Sequence, residues 1–186
     1  MTTPLEISSF RDDLLSICGG WPAACACTGC CRRLTSAELP PGCRELLDHH
    51  DHMTTTLERA YGKPVDLHVL EESQAGVYYQ RQILLKLRDT RTVVEFGIAR
   101  LALDRVPPEV RDEVLDHGAP LGDILIRHEV MREIEPRWFF AVDGGCAWGR
   151  HFESSTEGPL YGRMGDIRCN GVPAIEVLEV VLPRVP

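Results

Sequence analysis

Leu160-Tyr161-Gly162-Arg163-Met164-Gly165-Asp166-Ile167-Arg168-Cys169-Asn170-Gly171-Val172-Pro173-Ala174-Ile175-Glu176-Val177-Leu178-Glu179-Val180-Val181-Leu182 decides the fold. Two strand-like runs, about 160–168 and 172–182, flank Asn170-Gly171. A type I′ turn needs positive φ at both central positions, and Asn-Gly tolerates this best, so the segment predicts an antiparallel hairpin. Strand side chains alternate between faces, which puts Glu179 on one side with Ile175, Val177 and Val181. A carboxylate on an apolar face costs several kcal/mol unless it is paired, protonated or used.

Working back along the chain, a second anomaly of the same kind stands in Val77-Tyr78-Tyr79-Gln80-Arg81-Gln82-Ile83-Leu84-Leu85, where Arg81 shares a face with Tyr79, Ile83 and Leu85. One inward acid and one inward guanidinium point to a small pocket for an anionic ligand, with a structural salt bridge as the alternative. The runs 77–87 and 92–103 have strand composition and pair through a polar turn at Asp89 and Thr90. Val65, Leu67 and Val69 alternate with polar residues, and 129–134 reads as a further strand, followed by an irregular stretch over 136–159. Helices are expected over 8–17, through Leu46 and Leu47, from the capping box Thr55-x-x-Glu58 to Gly62, from Pro107 through Leu115, and after Pro120-Leu121-Gly122. The result is one α+β domain over 1–186: an antiparallel sheet of about six strands with helices on one side.

The chain has 186 residues, 44% hydrophobic and 26% charged, with a net charge of −8. That balance argues against a nucleic-acid backbone or an anionic membrane as partner, so attraction of an anionic small molecule has to be local. No apolar run reaches the length of a membrane span, and residues 1–6 do not read as a signal peptide, so a cytoplasmic location is expected. Six of the eight cysteines lie at Cys18, Cys25, Cys27, Cys30, Cys31 and Cys43. Without export they are not expected to form disulfides, and their spacing lacks two separated pairs for zinc. Reactive or incidental thiols are the expectation, with metal the lesser alternative; the His49-His50-Asp51-His52 run reads as a helix entry.

Four segments in order resemble the chorismate pyruvate-lyase family: Asp51-His52-Met53-Thr54 with Gly62-Lys63-Pro64-Val65, Arg81-Gln82-Ile83-Leu84-Leu85, Pro120-Leu121-Gly122, and Tyr161-Gly162-Arg163 leading to Glu179-Val180-Val181-Leu182-Pro183. They cover residues 45–183 and leave the Cys-rich first 44 residues unsupported. The resemblance implies a chorismate lyase-like fold and the removal of pyruvate from chorismate to give 4-hydroxybenzoate, with no cofactor and no metal. It implies that Arg81 and Leu121 hold the ring carboxylate and that Met53 closes the pocket. Glu179, its pKa raised by burial, would protonate the leaving ether oxygen or bond the product hydroxyl.

The chain departs from that pattern in three places. Ile98 follows Gly97 where the family carries a second inward arginine, and Arg100 is the nearest substitute. Trp148-Gly149-Arg150 duplicates Tyr161-Gly162-Arg163, whose spacing to Glu179 fits better. Glu176 rivals Glu179, and anchoring on Leu182-Pro183 favours Glu179. An enzyme on another aromatic or enolpyruvyl substrate, and a non-catalytic small-molecule-binding domain, stand as alternatives. The sequence does not set the number of subunits.

Overall fold

A computed structural model describes residues 9–152 and 158–182. The expected hairpin is present: β6 (Leu160–Cys169) and β7 (Val172–Val181) are joined by Asn170 at φ 51° and Gly171 at φ 79°, both in the left-handed region. Pro183, which closes the last sequence motif, lies outside the described residues.

The other strands are β1 (Cys31–Leu34), β2 (Val65–Ala75), β3 (Tyr78–Leu87), β4 (Val93–Ala102) and β5 (Arg132–Val142). All seven form one antiparallel sheet in the order β1-β5-β6-β7-β4-β3-β2. The helices are α1 (Phe10–Cys18), α2 (Pro22–Thr28), α3 (Pro41–Leu47), α4 (Met53–Tyr61), α5 (Pro108–Leu115) and α6 (Leu121–Arg127). The fold is α+β, as the patterning predicts.

Three features differ in detail from the sequence reading. The sheet has a seventh strand, because the Cys-rich segment contributes β1, whose four residues pair with the end of β5. The supposed irregular stretch from 136 begins as the second half of β5; a register shift between Pro136 and Trp138 lets the strand absorb a proline, which cannot donate to the ladder. Helix α4 starts at Met53 rather than Thr55, with His52 as its N-cap. Glu58 closes no capping box there; its Oε1 accepts from the Val65 backbone N–H at 3.1 Å, tying α4 to the start of β2.

Both faces of the sheet are covered, so the helices do not all lie on one side as the sequence reading expects: α1 and α2 take the second face because their apolar sides pack on it. On the first, Ile83, Leu85, Ala99, Leu101, Ile175, Val177 and Val181 pack under α3, α4, α5 and α6, the helical layer expected from sequence. On the second, Leu84, Phe96, Ile98, Leu178 and Val180 pack against Leu14, Ile17, Cys18, Trp21 and Cys27 of the N-terminal helices and against Trp148. Cys18, Cys27 and Cys43 are buried, so these thiols fill core volume. Trp148 stacks on Phe96 with ring centroids 5.8 Å apart, which puts Trp148 on the second face, away from α3–α6. Among the described residues no helix is long and apolar enough to cross a membrane.

Candidate functional site

A cleft lies between the first face of the sheet and its helices, with about 520 Å³ of empty space including its mouth. Its floor comes from β3, β4 and β7, and its roof from His52, Met53 and Thr54 at the start of α4 and Pro120-Leu121-Gly122 at the start of α6. The helix starts meet closely: a Cβ on Gly122 would fall 2.8 Å from the His52 side chain. Glycine at the third position of Pro-Leu-Gly is therefore a packing requirement of the roof.

Register decides which polar groups enter the cleft. Gly97 of β4 pairs with Ile83 on one side and Glu179 on the other, and Glu179 pairs with Arg163 of β6. Ala99 pairs with Arg81 and Val177 one rung along, and Glu95 with Leu85 and Val181 one rung the other way. Arg81 and Glu95 thus sit at opposite ends of the floor with Gly97 between their rungs, where the Ile83 and Glu95 side chains lean in: a Cβ on Gly97 would fall 3.0 Å from Glu95 Oε1 and 3.2 Å from Ile83. Four residues of strand, roughly 13 Å, separate their rungs.

Arg81 is 1% exposed. Its Nε has no hydrogen-bond partner, and one terminal nitrogen donates to the Val114 carbonyl at a long 3.4 Å. Burial lowers the pKa of this guanidinium, with Tyr79 and Glu72 acting the other way. Arg81 lines the cleft, and a buried arginine with an unsatisfied nitrogen is suited to a carboxylate.

Glu179 does not sit unpaired on an apolar face. Its Oε2 accepts from Arg163 Nε at 2.5 Å, and Arg163, 1% exposed, also donates to the carbonyls of Leu47 (3.1 Å) and His49 (2.9 Å). Arg163 therefore locks the end of α3 to the sheet as well as facing Glu179. Glu95 is the acid that is left over. It is 3% exposed, and its Oε2 has no partner. Burial, then the nearby Glu179 charge, push its pKa well above the usual carboxylate range, against a smaller opposing effect of Arg163.

The residues predicted from sequence divide cleanly. Met53, Arg81, Leu121 and Glu179 all line the one cleft. Arg100 does not: it lies on the second face, where its Nε donates to Glu176 Oε2 at 2.5 Å and a terminal nitrogen reaches Ser16. Arg100 and Glu176 pair directly across β4 and β7, so the substitute arginine and the rival glutamate neutralise one another away from the cleft. Sequence reading assigned no role to Arg163 and overlooked Glu95. Glu95 carried a signal, an acid inside Val93-Val94-Glu95-Phe96-Gly97-Ile98. The partner of Arg163 depends on strand register and had none.

The histidine run is committed to the scaffold. His49 Nε2 donates to the Leu46 carbonyl (2.7 Å), and His50 Nδ1 to the Ile134 carbonyl (2.7 Å). His52 Nε2 accepts from Arg132 Nε at 2.6 Å, which puts its proton on Nδ1. Among the described residues no three His, Cys, Asp or Glu side chains are arranged to hold a metal ion.

Two cleft residues make stability depend on pH in opposite directions. Burial, with Arg132 and Arg163 nearby and Asp51 opposing, lowers the His52 pKa from 6.5 to about 4. The unfolded chain then binds the extra proton between those values. The His52 contribution, up to about 3 kcal/mol, is complete above pH 6.5 and lost as pH falls toward 4. Glu95 has a raised pKa, so its contribution is complete below pH 4.5 and declines as pH rises toward the folded-state value. Melting temperatures from pH 4 to 8 should show the advantage of wild type over His52→Gln growing between pH 4 and 6.5. The advantage over Glu95→Gln should shrink as pH rises above 4.5. Parallel curves for the three proteins would refute both assignments.

No family model matches this sequence, and no curated protein matches it. Among solved structures, the chain is similar to PhnF from Mycobacterium smegmatis, with a TM-score of 0.55 and 13% identity over 72% of this chain. The match spans 64% of the PhnF chain. At that identity the likeness concerns the fold alone, and it agrees with the seven-stranded antiparallel sheet under its helices: the chain has a chorismate lyase-like fold.

Proposed function

We propose that the cleft binds chorismate and removes its enolpyruvyl group, giving 4-hydroxybenzoate and pyruvate. The observation that carries this reading is the joint position of Arg81 and Glu179 in one cleft, together with Met53 and Leu121, the four residues the family resemblance implied. Arg81 offers its unpaired edge to the ring carboxylate. The ring lies in the cleft between the floor and the helix starts, and the carboxyl groups at the far end meet the oxygen substituents. The reaction is an elimination in which all electrons stay within the substrate, and the new aromatic ring supplies much of its driving force. The work left to the protein is positioning, proton transfer and charge stabilisation.

The test is incubation of the purified protein with chorismate. Equal amounts of 4-hydroxybenzoate and pyruvate are expected, and folded protein that yields neither rules the reading out.

One observation favours a second reading, a non-catalytic site for a hydroxylated ring monocarboxylate or an enzyme on such a substrate. Arg163 is already spent on Glu179, and Ile98 stands on the opposite face where the family's second arginine would be. Arg81 is then the one cleft guanidinium, among the described residues, without a carboxylate partner, and the second carboxylate of chorismate lacks an arginine. Tight binding of 4-hydroxybenzoate without turnover of chorismate would select this second reading.

A further inference from the structure

We propose that Glu95 and Glu179 form an acid–base pair, with Glu95 as the general acid that protonates the leaving oxygen and Glu179 as the base that takes the ring hydrogen. This assignment rests on the lyase reading and deepens it. It reverses the role that the resemblance gives Glu179.

The two carboxyl groups occupy neighbouring rungs of adjacent strands on one sheet face, yet their surroundings differ. Glu179 accepts from the Arg163 guanidinium at 2.5 Å, so it is the carboxylate of the pair and able to receive a proton. Glu95 has no guanidinium of its own among its hydrogen bonds, and its Oε2 is buried without a partner. A buried carboxyl group without a counter-ion favours its protonated form, and burial and the adjacent Glu179 act in that direction. One acid held against a guanidinium beside one buried without a counter-ion is a usual division of labour between a proton acceptor and a proton donor.

The chemistry asks for this arrangement. The hydrogen on the hydroxyl-bearing ring carbon and the ether oxygen on the next carbon lie on the same side of the chorismate ring. Acid and base must then approach from one face, and both glutamates rise from the same floor. Glu179 takes the hydrogen as a proton, and the C–H electron pair becomes the third double bond of the ring. The bond from ring carbon to ether oxygen breaks with its electrons on oxygen, and Glu95 delivers its proton there. The products are 4-hydroxybenzoate and the enol of pyruvate, which ketonises. Return of the proton from Glu179 to Glu95 restores the starting state. With Arg163–Glu179 neutral as a pair and Glu95 protonated, Arg81 leaves the empty cleft with one net positive charge, suited to the ring carboxylate.

Three measurements test the pair together: chorismate turnover, binding of 4-hydroxybenzoate, and the infrared band of a protonated carboxyl group. Wild type should show that band at neutral pH, and Glu95→Gln should lack it. Glu95→Gln should lower kcat by at least about 100-fold, with KM and 4-hydroxybenzoate affinity within about threefold of wild type. Glu95→Asp should keep the band and part of the activity. Wild-type activity in Glu95→Gln, or the absence of the band from wild type, overturns the assignment while leaving the lyase reading in place. Absence of the band from wild type overturns the assignment even if the glutamine variant fails to fold, and Glu95→Asp then carries the kinetic test. A wild type that binds 4-hydroxybenzoate but never turns over chorismate overturns the lyase reading, and the proton-transfer roles fall with it.

Discussion

Arg81→Met is expected to weaken binding of a ring carboxylate such as 4-hydroxybenzoate severely while making the protein more stable. The two effects have one cause. Arg81 is a cation held at 1% exposure with an unpartnered Nε, one long bond to a backbone carbonyl and the neutral Tyr79 hydroxyl as its side-chain neighbour. In the empty protein its desolvation is poorly compensated, and methionine fills much of the same volume without that cost. Replacement of buried ion pairs by apolar side chains ranges from neutral to stabilising by about 1–4 kcal/mol, and a buried cation without a carboxylate partner belongs toward the stabilising end. In a chain of this length that corresponds to a rise of roughly 2–4 °C in Tm for each kcal/mol. With ligand bound, the same guanidinium supplies the charge-assisted bonds to the carboxylate. Removing one side of such a buried pair costs about 2–5 kcal/mol, between roughly 30-fold and several thousand-fold in Kd. Calorimetric titration and thermal melts on the same two proteins check both halves. Unchanged affinity would remove Arg81 as the anchor. Lost affinity accompanied by a lower Tm would mean that Arg81 supports the fold rather than waits for a ligand.

Arg163→Met should act in the opposite sense on stability. This change strips the counter-charge from Glu179 and leaves Glu95 and Glu179 facing each other without their nearest cation. It also frees the carbonyls of Leu47 and His49, which Arg163 holds at the end of α3. Breaking a buried pair by deleting one member typically costs about 3–5 kcal/mol, a fall in Tm of roughly 6–20 °C here. The double variant Arg163→Met with Glu179→Gln should recover a substantial part of that loss, since the orphaned charge is gone. A loss below about 1 kcal/mol in the single variant, or additive losses in the double variant, would show that the pair is not the buried lock its geometry describes.

These contrasting expectations for two arginines on one sheet face show where sequence reading stops. Arg81 was legible because it interrupts an apolar alternation, and its unpaired state matches that anomaly. Arg163 sits in Leu160-Tyr161-Gly162-Arg163-Met164-Gly165, where flanking glycines erase the alternation and no face can be read. Arg100 interrupts an alternation as visibly as Arg81 does. Its strand's two faces could not be told apart until the pairing of Ala99 with Arg81 placed Arg100 on the far side, opposite Glu176.

The sequence by itself determined the elements and the two anomalies that matter most. Asn170-Gly171 dictates a tight turn because both residues accept positive φ, Gly62 ends α4 in the left-handed region at φ 66°, and alternation puts Arg81 and Glu179 on apolar faces. These are local rules, satisfied within a few residues. Tertiary structure alone decided that Glu179 has a partner. From the turn, the hairpin pairs Cys169 with Val172 and Arg168 with Pro173, and that register carried onward would set Arg163 opposite Leu178. A bulge at Ala174 inserts one residue, so Ile167 pairs with Ile175 and Arg163 meets Glu179 instead. A one-residue slip exchanges the two faces of a strand, so which charges meet follows from hydrogen bonding between distant segments and not from the composition of either. The acid that began as a misplaced carboxylate owes its guanidinium to that single extra residue.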